Sequence, residues 1–236
     1  MLKEAIILAG GFGTRLREVV NDVPKPMAPV NEKPFLDYLL KYLAHYGIKR
    51  VVLSVGYLSD KVIAHYSNNF NDIEIVYSVE KEPLGTGGGI RLAMEKCKTT
   101  DVLVLNGDSF FDIDLLSFYN QYSDSIGDAA LALRHVNNSA RYGTIALGEL
   151  DMIKAFTEKT GHEKPGIINA GVYMLSCDVF MDETPAEKNF SIEKDFFEKK
   201  LNKLNFYGFA YSGYFIDIGI PEDYKQVQHD FKTFKY

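Results

Sequence analysis

Three glycines near the amino terminus suggest the first piece of chemistry in this chain. Gly10, Gly11 and Gly13 directly follow a short apolar run, and the basic side chains of Arg15 and Lys25 come after them. Glycine permits backbone conformations that other residues avoid, so several main-chain N–H groups can point at one anion. The pattern predicts a phosphate-binding loop at the end of a strand. The alternative is a glycine turn followed by a solvated basic loop.

This loop differs from the two most familiar phosphate-binding sequences. The Walker pattern ends in Gly-Lys-Ser/Thr, and the dinucleotide fingerprint has a third glycine three residues after the second. The chain instead reads Gly-Gly-Phe-Gly-Thr-Arg-Leu from Gly10 and continues to Pro24-Lys25-Pro26. Both familiar classes are therefore excluded for this segment.

A carboxylate after another apolar run is the first candidate metal ligand. Residues 102–105 predict a buried strand, and Asp108 follows them after Asn-Gly. Ligands of parallel sheets bind beyond the carboxyl ends of the strands, and carboxylates can hold Mg²⁺ against phosphate oxygens there. We therefore expect Asp108 to bind a divalent cation.

A second glycine-rich segment lies at residues 82–89, with the sequence Glu-Pro-Leu-Gly-Thr-Gly-Gly-Gly. Its glycines would let the backbone pack against a planar ligand, and a helix predicted at residues 90–96 would point its amino terminus at an anion. The alternative is a flexible connector. A plain linker is seldom bounded so closely by a strand and a helix, which favours a binding role.

The composition is that of an ordinary globular protein. The 236 residues are 46% hydrophobic and 25% charged, and we expect them to form a single domain, 1–236. The formal charge of −6 argues against nucleic acid or an anionic membrane as partner, because both select basic surfaces. The sequence shows neither a signal peptide nor a membrane-length apolar stretch, so we expect a cytoplasmic protein with Cys97 and Cys177 reduced.

The elements that must position these residues alternate along the first half of the chain. Residues 34–46 and 60–66 have helical spacing, whereas residues 51–55 and 73–79 are strand-like. Such alternation implies right-handed crossovers and a parallel sheet covered on both faces. Later strands are predicted at 129–133, 144–147, 153–157, 168–175 and 206–211, and later helices at 190–201, capped by Ser191, and at 221–234.

The glycine loop and Pro24-Lys25-Pro26 together resemble the signature of the sugar-1-phosphate nucleotidylyltransferases, and the similarity extends from Ala5 to Tyr224. It implies a three-layer Rossmann-like α/β nucleotidyltransferase fold with a mostly parallel central sheet, and Mg²⁺ as cofactor. The segments Pro-Lys-Pro-Met-Ala-Pro-Val and Asn-Gly-Asp-Ser-Phe-Phe-Asp-Ile-Asp are most similar to guanylyltransferases for D-glycero-α-D-manno-heptose 1-phosphate, with mannose-1-phosphate guanylyltransferases next. The partners implied are GTP and a sugar 1-phosphate.

The resemblance also assigns roles to individual residues. Those implied as catalytic are Arg15, Lys25, Asp108 and Asp217, with Asp108 and Asp217 as the metal ligands. Those implied as nucleotide-binding are Leu8, Ala9, Gly10, Gly11, Gly13, Thr14, Arg15, Glu82, Pro83, Gly85 and Thr86. Those implied to bind the sugar phosphate are Gly143, Glu158, Lys159 and Asn169. The acceptor phosphate is already an anionic nucleophile, so the reaction needs no general base.

Several of these assignments have simpler alternatives. Asp217 could bond only to its local backbone, as aspartates in turns do. Glu158 and Lys159, taken singly, could be a solvated pair. The chain also has Glu-Lys-Thr here, where many members of the family have Glu-Lys-Pro, which puts the geometry of this loop in doubt.

Two other functional classes remain open at this stage. A nucleotide-sugar-dependent glycosyltransferase would use Asp112 and Asp114 as an Asp-x-Asp metal motif, although we favour Asp114 as a helix cap. A nucleotide sensor would bind ligand without turnover. The tyrosine- and phenylalanine-rich carboxyl-terminal segments could form a homo-oligomeric interface or could belong to the core.

Overall fold

The computed structural model describes residues 2–11, 20, 22–157 and 161–236. Its strands are β1 (Glu4–Leu8), β2 (Pro29–Val30), β3 (Lys33–Pro34), β4 (Arg50–Val55), β5 (Asn69–Phe70), β6 (Ile73–Val79), β7 (Asp101–Asn106), β8 (Ser109–Phe111), β9 (Ala129–Val136), β10 (Thr144–Leu147), β11 (Ile153–Thr157), β12 (Gly166–Ser176), β13 (Phe206–Tyr211) and β14 (Phe215–Asp217). Its α-helices are α1 (Phe35–His45), α2 (Ser59–Tyr66), α3 (Gly85–Met94), α4 (Leu115–Asp124), α5 (Cys177–Glu183) and α6 (Pro221–Asp230). The strands predicted from the sequence are all present.

A mixed sheet forms the centre of the molecule. Its strand order is β11-β10-β12-β7-β1-β4-β6-β5, and β9 pairs with both β12 and β13. The neighbours β7, β1, β4 and β6 run parallel, while β12 joins β7 in the antiparallel direction. The α/β fold with a mostly parallel central sheet is thus confirmed.

Hydrophobic side chains cover both faces of this sheet. Along β1, Ala5 and Ile7 belong to the core shared with α1, α2, α4 and α6. Ile6, which points to the opposite face, belongs to the core shared with α3 and α5. This alternation follows from the two-residue period of a strand. It produces the three layers expected from the sequence, with the carboxyl ends of the parallel strands left free for a site.

Helix α3 starts five residues earlier than predicted, because the glycines form its first turns instead of an open platform. Gly87 and Gly88 are buried against the segment 188–190, where a Cβ on Gly88 would lie 2.5 Å from the Lys188 carbonyl oxygen. The Gly87 N–H donates to the Phe190 carbonyl at 2.9 Å. These glycines therefore serve close backbone approach, and only the edge formed by Glu82, Pro83 and Gly85 is exposed.

The predicted helix at 190–201 is instead a π-helix, Ile192–Glu198. Its wider turn accompanies the burial of two consecutive side chains, Phe196 and Phe197, which pack against each other with ring centroids 5.4 Å apart. The predicted cap is confirmed, since the Ser191 side chain accepts a hydrogen bond from the Lys194 N–H.

Candidate active site

Three of the predicted catalytic side chains meet at the carboxyl edge of the sheet. The Lys25 ammonium lies 2.6 Å from Asp108 Oδ2 and 3.5 Å from Asp217 Oδ1. The sequence separations are 83 and 192 residues, so only the tertiary fold brings them together. The Lys25 side chain is 11% exposed, whereas those of Asp108 and Asp217 are 40% and 29% exposed. The two carboxylates are thus accessible to a ligand, and the lysine lies beneath them.

Short local structures hold each member of this cluster. Lys25 stands between Pro24 and Pro26 and is the first residue of a 3-10 turn, Lys25–Met27. Asp108 follows Gly107, whose N–H donates to the Leu8 carbonyl at 2.9 Å and where an added Cβ would collide with that carbonyl. Asp217 ends β14, which pairs with β8 so that Asp217 lies opposite Ser109. These backbone contacts fix the separation of the two carboxylates.

Gly219 closes the turn after Asp217. Its N–H donates to Asp217 Oδ1 at 2.8 Å, which is the local backbone bond considered as an alternative for this aspartate. The same Oδ1 also faces Lys25, so the local bond and the long-range contact coexist. An added Cβ on Gly219 would lie 2.8 Å from Asp217 Oδ1 and 3.0 Å from Lys25 Nζ. A larger residue here would therefore displace the charged ends of Asp217 and Lys25.

We expect Gly219→Ala to lower turnover by about tenfold, because its methyl group would displace the side chains of Asp217 and Lys25. Small displacements of this kind can lower the rate of an enzyme by about a hundredfold. The loss should appear in kcat while the melting temperature changes little. Gly47→Ala, where no described atom lies within 4 Å of an added Cβ but φ is +78°, provides a comparison in which only backbone strain is added. Unchanged kcat in Gly219→Ala would show that the site tolerates the displacement.

The electrostatics of the cluster favour an additional cation. Burial raises the pKa of Asp217, and the charge of Asp108 raises it further, whereas Lys25 and the Gly219 N–H lower it. Two carboxylates share one ammonium, so the group carries a net negative charge. Mg²⁺ commonly binds one or two protein carboxylates and completes its shell with substrate phosphates and water. In the described ranges no cluster of three or more His, Cys, Asp or Glu side chains could hold a metal. Asp108 and Asp217 therefore suit a metal completed by a phosphate ligand.

The alternative metal motif is engaged elsewhere. The Asp114 side chain accepts hydrogen bonds from the N–H groups of Leu116 and Ser117 at 2.9 and 3.0 Å, which confirms the predicted helix cap. Asp112 pairs with Lys235 at 2.8 Å and accepts from the Tyr236 hydroxyl. This Asp-x-Asp pair thus stabilises a helix start and the carboxyl-terminal segment.

All of the described nucleotide-binding candidates lie along two neighbouring segments. Leu8, Ala9, Gly10 and Gly11 follow one another at the end of β1, and Gly11 has open space around it. Glu82, Pro83, Gly85 and Thr86 lie at the start of α3. Three nucleotide-binding candidates, Gly13, Thr14 and Arg15, lie outside the described residues, as do Glu158 and Lys159 of the sugar site.

Glu80 links these two segments and was missed by the sequence reasoning. Its Oε2 accepts from the Leu84 N–H at 2.9 Å, and its Oε1 lies 3.3 Å from the Ser54 hydroxyl. A Cβ on Gly10 would lie 3.0 Å from Glu80 Oε1, so the glycine loop packs directly on this carboxylate. The only signal in the sequence was an acidic residue at the end of a strand, which is too common to single it out.

The two described sugar-site candidates are neighbours. The antiparallel pairing of Thr144 with Ile168 places Gly143 beside Asn169 at the edge of β10 and β12. The Asn169 side chain accepts from the Gly171 N–H at 2.9 Å and donates to the Tyr173 hydroxyl at 2.8 Å. Its amide is therefore held in one orientation, and its second N–H has no partner among the residues that the structure describes.

A cavity of about 360 Å³ opens beside Asp217. Its walls include Tyr142, which precedes the Gly143 candidate, and Arg141, which pairs with Asp223 of α6 at 2.6 Å. Gln226 adds an amide to the same wall. Carboxylate, amide and aromatic groups together suit a polyhydroxylated ligand.

Comparison with known proteins identifies the family of this chain. The family model described as nucleotidyl transferase matches residues 4–233. The chain belongs to this family. The same fold and the same carboxyl-edge position of the acidic cluster are therefore expected in other members.

Individual relatives of this nucleotidyl transferase have names that are more specific than the family description. It is 44% identical over 231 residues to the D-glycero-alpha-D-manno-heptose 1-phosphate guanylyltransferase of Aneurinibacillus thermoaerophilus, a match covering 98% of this chain and 99% of the relative. It is 45% identical over 221 residues to the protein of the same name from Campylobacter jejuni, covering 94% and 96%. The crystal structure of HddC from Yersinia pseudotuberculosis complexed with GMP-PN superimposes with a TM-score of 0.85 and 37% identity, covering 98% and 100%.

In residues 2–11, 20, 22–157 and 161–236, no helix combines the length and apolar character that crossing a bilayer requires.

Proposed function

We propose that this nucleotidyl transferase joins GTP and D-glycero-α-D-manno-heptose 1-phosphate to form GDP-heptose and pyrophosphate. The observation that carries the reaction class is the convergence of Lys25, Asp108 and Asp217 at the carboxyl edge of the sheet. The substrates are supported by the full-length similarity to two heptose 1-phosphate guanylyltransferases. The GMP-PN complex of HddC supports a guanosine-containing ligand.

The reaction needs positioning and charge rather than a proton-transfer group. An oxygen of the sugar phosphate forms a bond to the α-phosphorus of GTP, and the bond from that phosphorus to the bridging oxygen of pyrophosphate breaks. The electron pair leaves with pyrophosphate. Lys25 would balance charge on the phosphates, and its contacts with Asp108 and Asp217 would hold the two carboxylates in place.

Mg²⁺ remains our proposal for the cofactor. Asp108 and Asp217 would hold it, because their hard oxygens, their accessibility and their excess negative charge suit it. When bound, Mg²⁺ would supply positive charge against the triphosphate. The backbone N–H groups of the glycine loop would bind the phosphates, and Asn169 with Gly143 would orient the sugar.

The remaining roles are proposed from the sequence. Arg15 would neutralise charge on the transferring phosphates, Lys159 would bind the sugar phosphate, and Glu158 would bind sugar hydroxyls. The other nucleotide-binding assignments, the cytoplasmic location and a possible homo-oligomer also stay predictions.

Pyrophosphate release tests the proposed substrates. The enzyme with Mg²⁺ would be incubated with each common nucleoside triphosphate and with heptose, mannose, glucose or N-acetylhexosamine 1-phosphate. We expect release with GTP and the heptose phosphate. A different productive pair would keep the reaction class and replace the substrate, with mannose 1-phosphate as the main competitor. Nucleotide binding without release from any pair would instead support a sensor.

Arg15→Ala is expected to lower turnover by about a hundredfold or more, because one preorganised charge acting mainly in the transition state contributes on that scale. The measurement is kcat for pyrophosphate release, with circular dichroism to verify the fold. The variant Lys96→Ala, at an exposed lysine to which we assign no role, provides the comparison. Near-normal kcat in Arg15→Ala would remove this arginine from the proposed mechanism.

A further inference from the structure

A buried tyrosine connects two segments of the candidate site. Tyr173 of β12 is fully buried, with its ring centroid 5.6 Å from that of Phe197. Its hydroxyl accepts a hydrogen bond from the Asn169 amide at 2.8 Å. In the sheet, Tyr173 pairs with Val104 of β7, the strand that ends at Asn106 just before Asp108. Tyr173 thus bonds to a sugar-site residue and lies beside the strand that leads to a candidate metal ligand.

Glu193, on the π-helix, faces this tyrosine on one side and the nucleotide segment on the other. Its Oε1 lies 3.5 Å from the Tyr173 hydroxyl. Its Oε2 accepts from the Thr86 hydroxyl at 3.1 Å and from the Ser191 hydroxyl at 2.7 Å. Thr86 is fixed further, because its hydroxyl oxygen accepts from the Ile192 N–H at 3.0 Å. The two oxygens of one carboxylate are therefore divided between two predicted ligand segments.

We infer that Glu193 is a positioning residue that orients the nucleotide segment through Thr86 and the sugar segment through Tyr173 and Asn169. The inference rests on the proposed function, which gives Thr86 and Asn169 their ligands. Glu193 is not itself proposed to touch either substrate.

The donors and acceptors of the network explain why a carboxylate is required. The Tyr173 hydroxyl oxygen already accepts a hydrogen bond from Asn169. Its one hydrogen must therefore be donated to a different group, which has to be an acceptor. A carboxylate accepts at both oxygens, and hydrogen bonds to a charged acceptor are stronger than neutral ones. Without Glu193, a buried hydroxyl loses its acceptor, and Thr86 loses the contact that orients its side chain.

Separate binding measurements test this role. Calorimetry without metal would give the affinity for GTP, and then the affinity for heptose 1-phosphate at saturating GTP. Glu193→Ala is expected to weaken both by about tenfold, the scale of one lost hydrogen bond to a charged group. Thr86→Val should lower the affinity for GTP alone, and Tyr173→Phe should lower the affinity for the sugar phosphate alone. Glu198→Gln, an exposed change on the same π-helix, should leave both affinities unchanged.

The selectivity of these variants separates positioning from general stability. If these substitutions only destabilise the whole site, Thr86→Val and Tyr173→Phe will each lower the affinity for both ligands. That result would overturn the inference. Wild-type affinities in Glu193→Ala would overturn it as well. If Glu193→Ala does not fold, Glu193→Gln, which has the same shape, replaces it in the test. Its amide has one oxygen acceptor for the hydroxyl groups of both Thr86 and Tyr173, so this variant must weaken the binding of the sugar phosphate. A wild-type protein that binds neither ligand, even after Mg²⁺ is added, contradicts the proposed function itself.

Discussion

Asp217→Asn is expected to reduce pyrophosphate release by about a hundredfold or more, with little change in melting temperature. The amide keeps the shape of the side chain and leaves an oxygen for the Gly219 N–H, so the turn should survive. What is lost is one of the two negative charges that face Lys25. The expected consequence is a weaker response to Mg²⁺, measured as kcat over a metal titration.

Asp124→Asn provides the control for Asp217→Asn. Asp124 is exposed at the end of α4, and we assign it no role in the site. Its variant should match the wild type in kcat and in metal dependence. If Asp217→Asn also matched the wild type at every Mg²⁺ concentration, Asp217 would be a structural turn residue, and the metal would need a different second ligand.

Lys25→Met should give the other large loss, again about a hundredfold or more in turnover. The methionine fills a similar volume, but Asp108 and Asp217 then lose the ammonium that lies 2.6 and 3.5 Å away. Two uncompensated carboxylates repel each other, so the melting temperature should also fall. Added Mg²⁺ should recover stability more than turnover, because it can replace the charge between the acids without restoring the lysine at the phosphates.

Lys33→Met is the matched control, since Lys33 is exposed in β3 and we assign it no role in the site. The readouts are kcat and the melting temperature with and without Mg²⁺. Full turnover in Lys25→Met would show that Lys25 is only a counterion for the acids. Equal losses in both variants would point to a general effect of removing surface charge.

The architecture could be predicted from the sequence because apolar runs and their spacing are local signals. The alternation at Ala5, Ile6 and Ile7 places side chains on both faces of one strand, and both faces are indeed buried. The caps at Asp114 and Ser191 were also predictable, because each lies immediately before its helix and bonds within three residues.

Helix α3 shows where local reasoning failed. Consecutive glycines disfavour a helix, so its start was predicted after them. The structure places them inside it because Gly87 and Gly88 pack on residues 188–190, about a hundred positions away in the sequence. The π-helix has a similar cause, since the burial of Phe196 beside Phe197 is decided by the sheet beneath them.

The candidate site was predicted where a motif marked it and missed where it depended on distant pairs. Lys25 and Asp108 stand in distinctive segments and are found in contact. Glu80 and Glu193 are single acidic residues with no motif, and their partners are defined only by folding. Glu193 reaches Thr86 across 107 positions, a separation that periodicity and spacing cannot detect.

The late position of Asp217 in the sequence has a consequence for synthesis on the ribosome. Lys25 and Asp108 emerge first, whereas Asp217 of β14, the partner of β8, follows 192 residues after Lys25. Helix α6 is later still, and its Tyr224 and Gln228 side chains bond to the Pro29 carbonyl beside the lysine turn. A nascent chain can therefore build much of the sheet during elongation before the second carboxylate of the site has emerged.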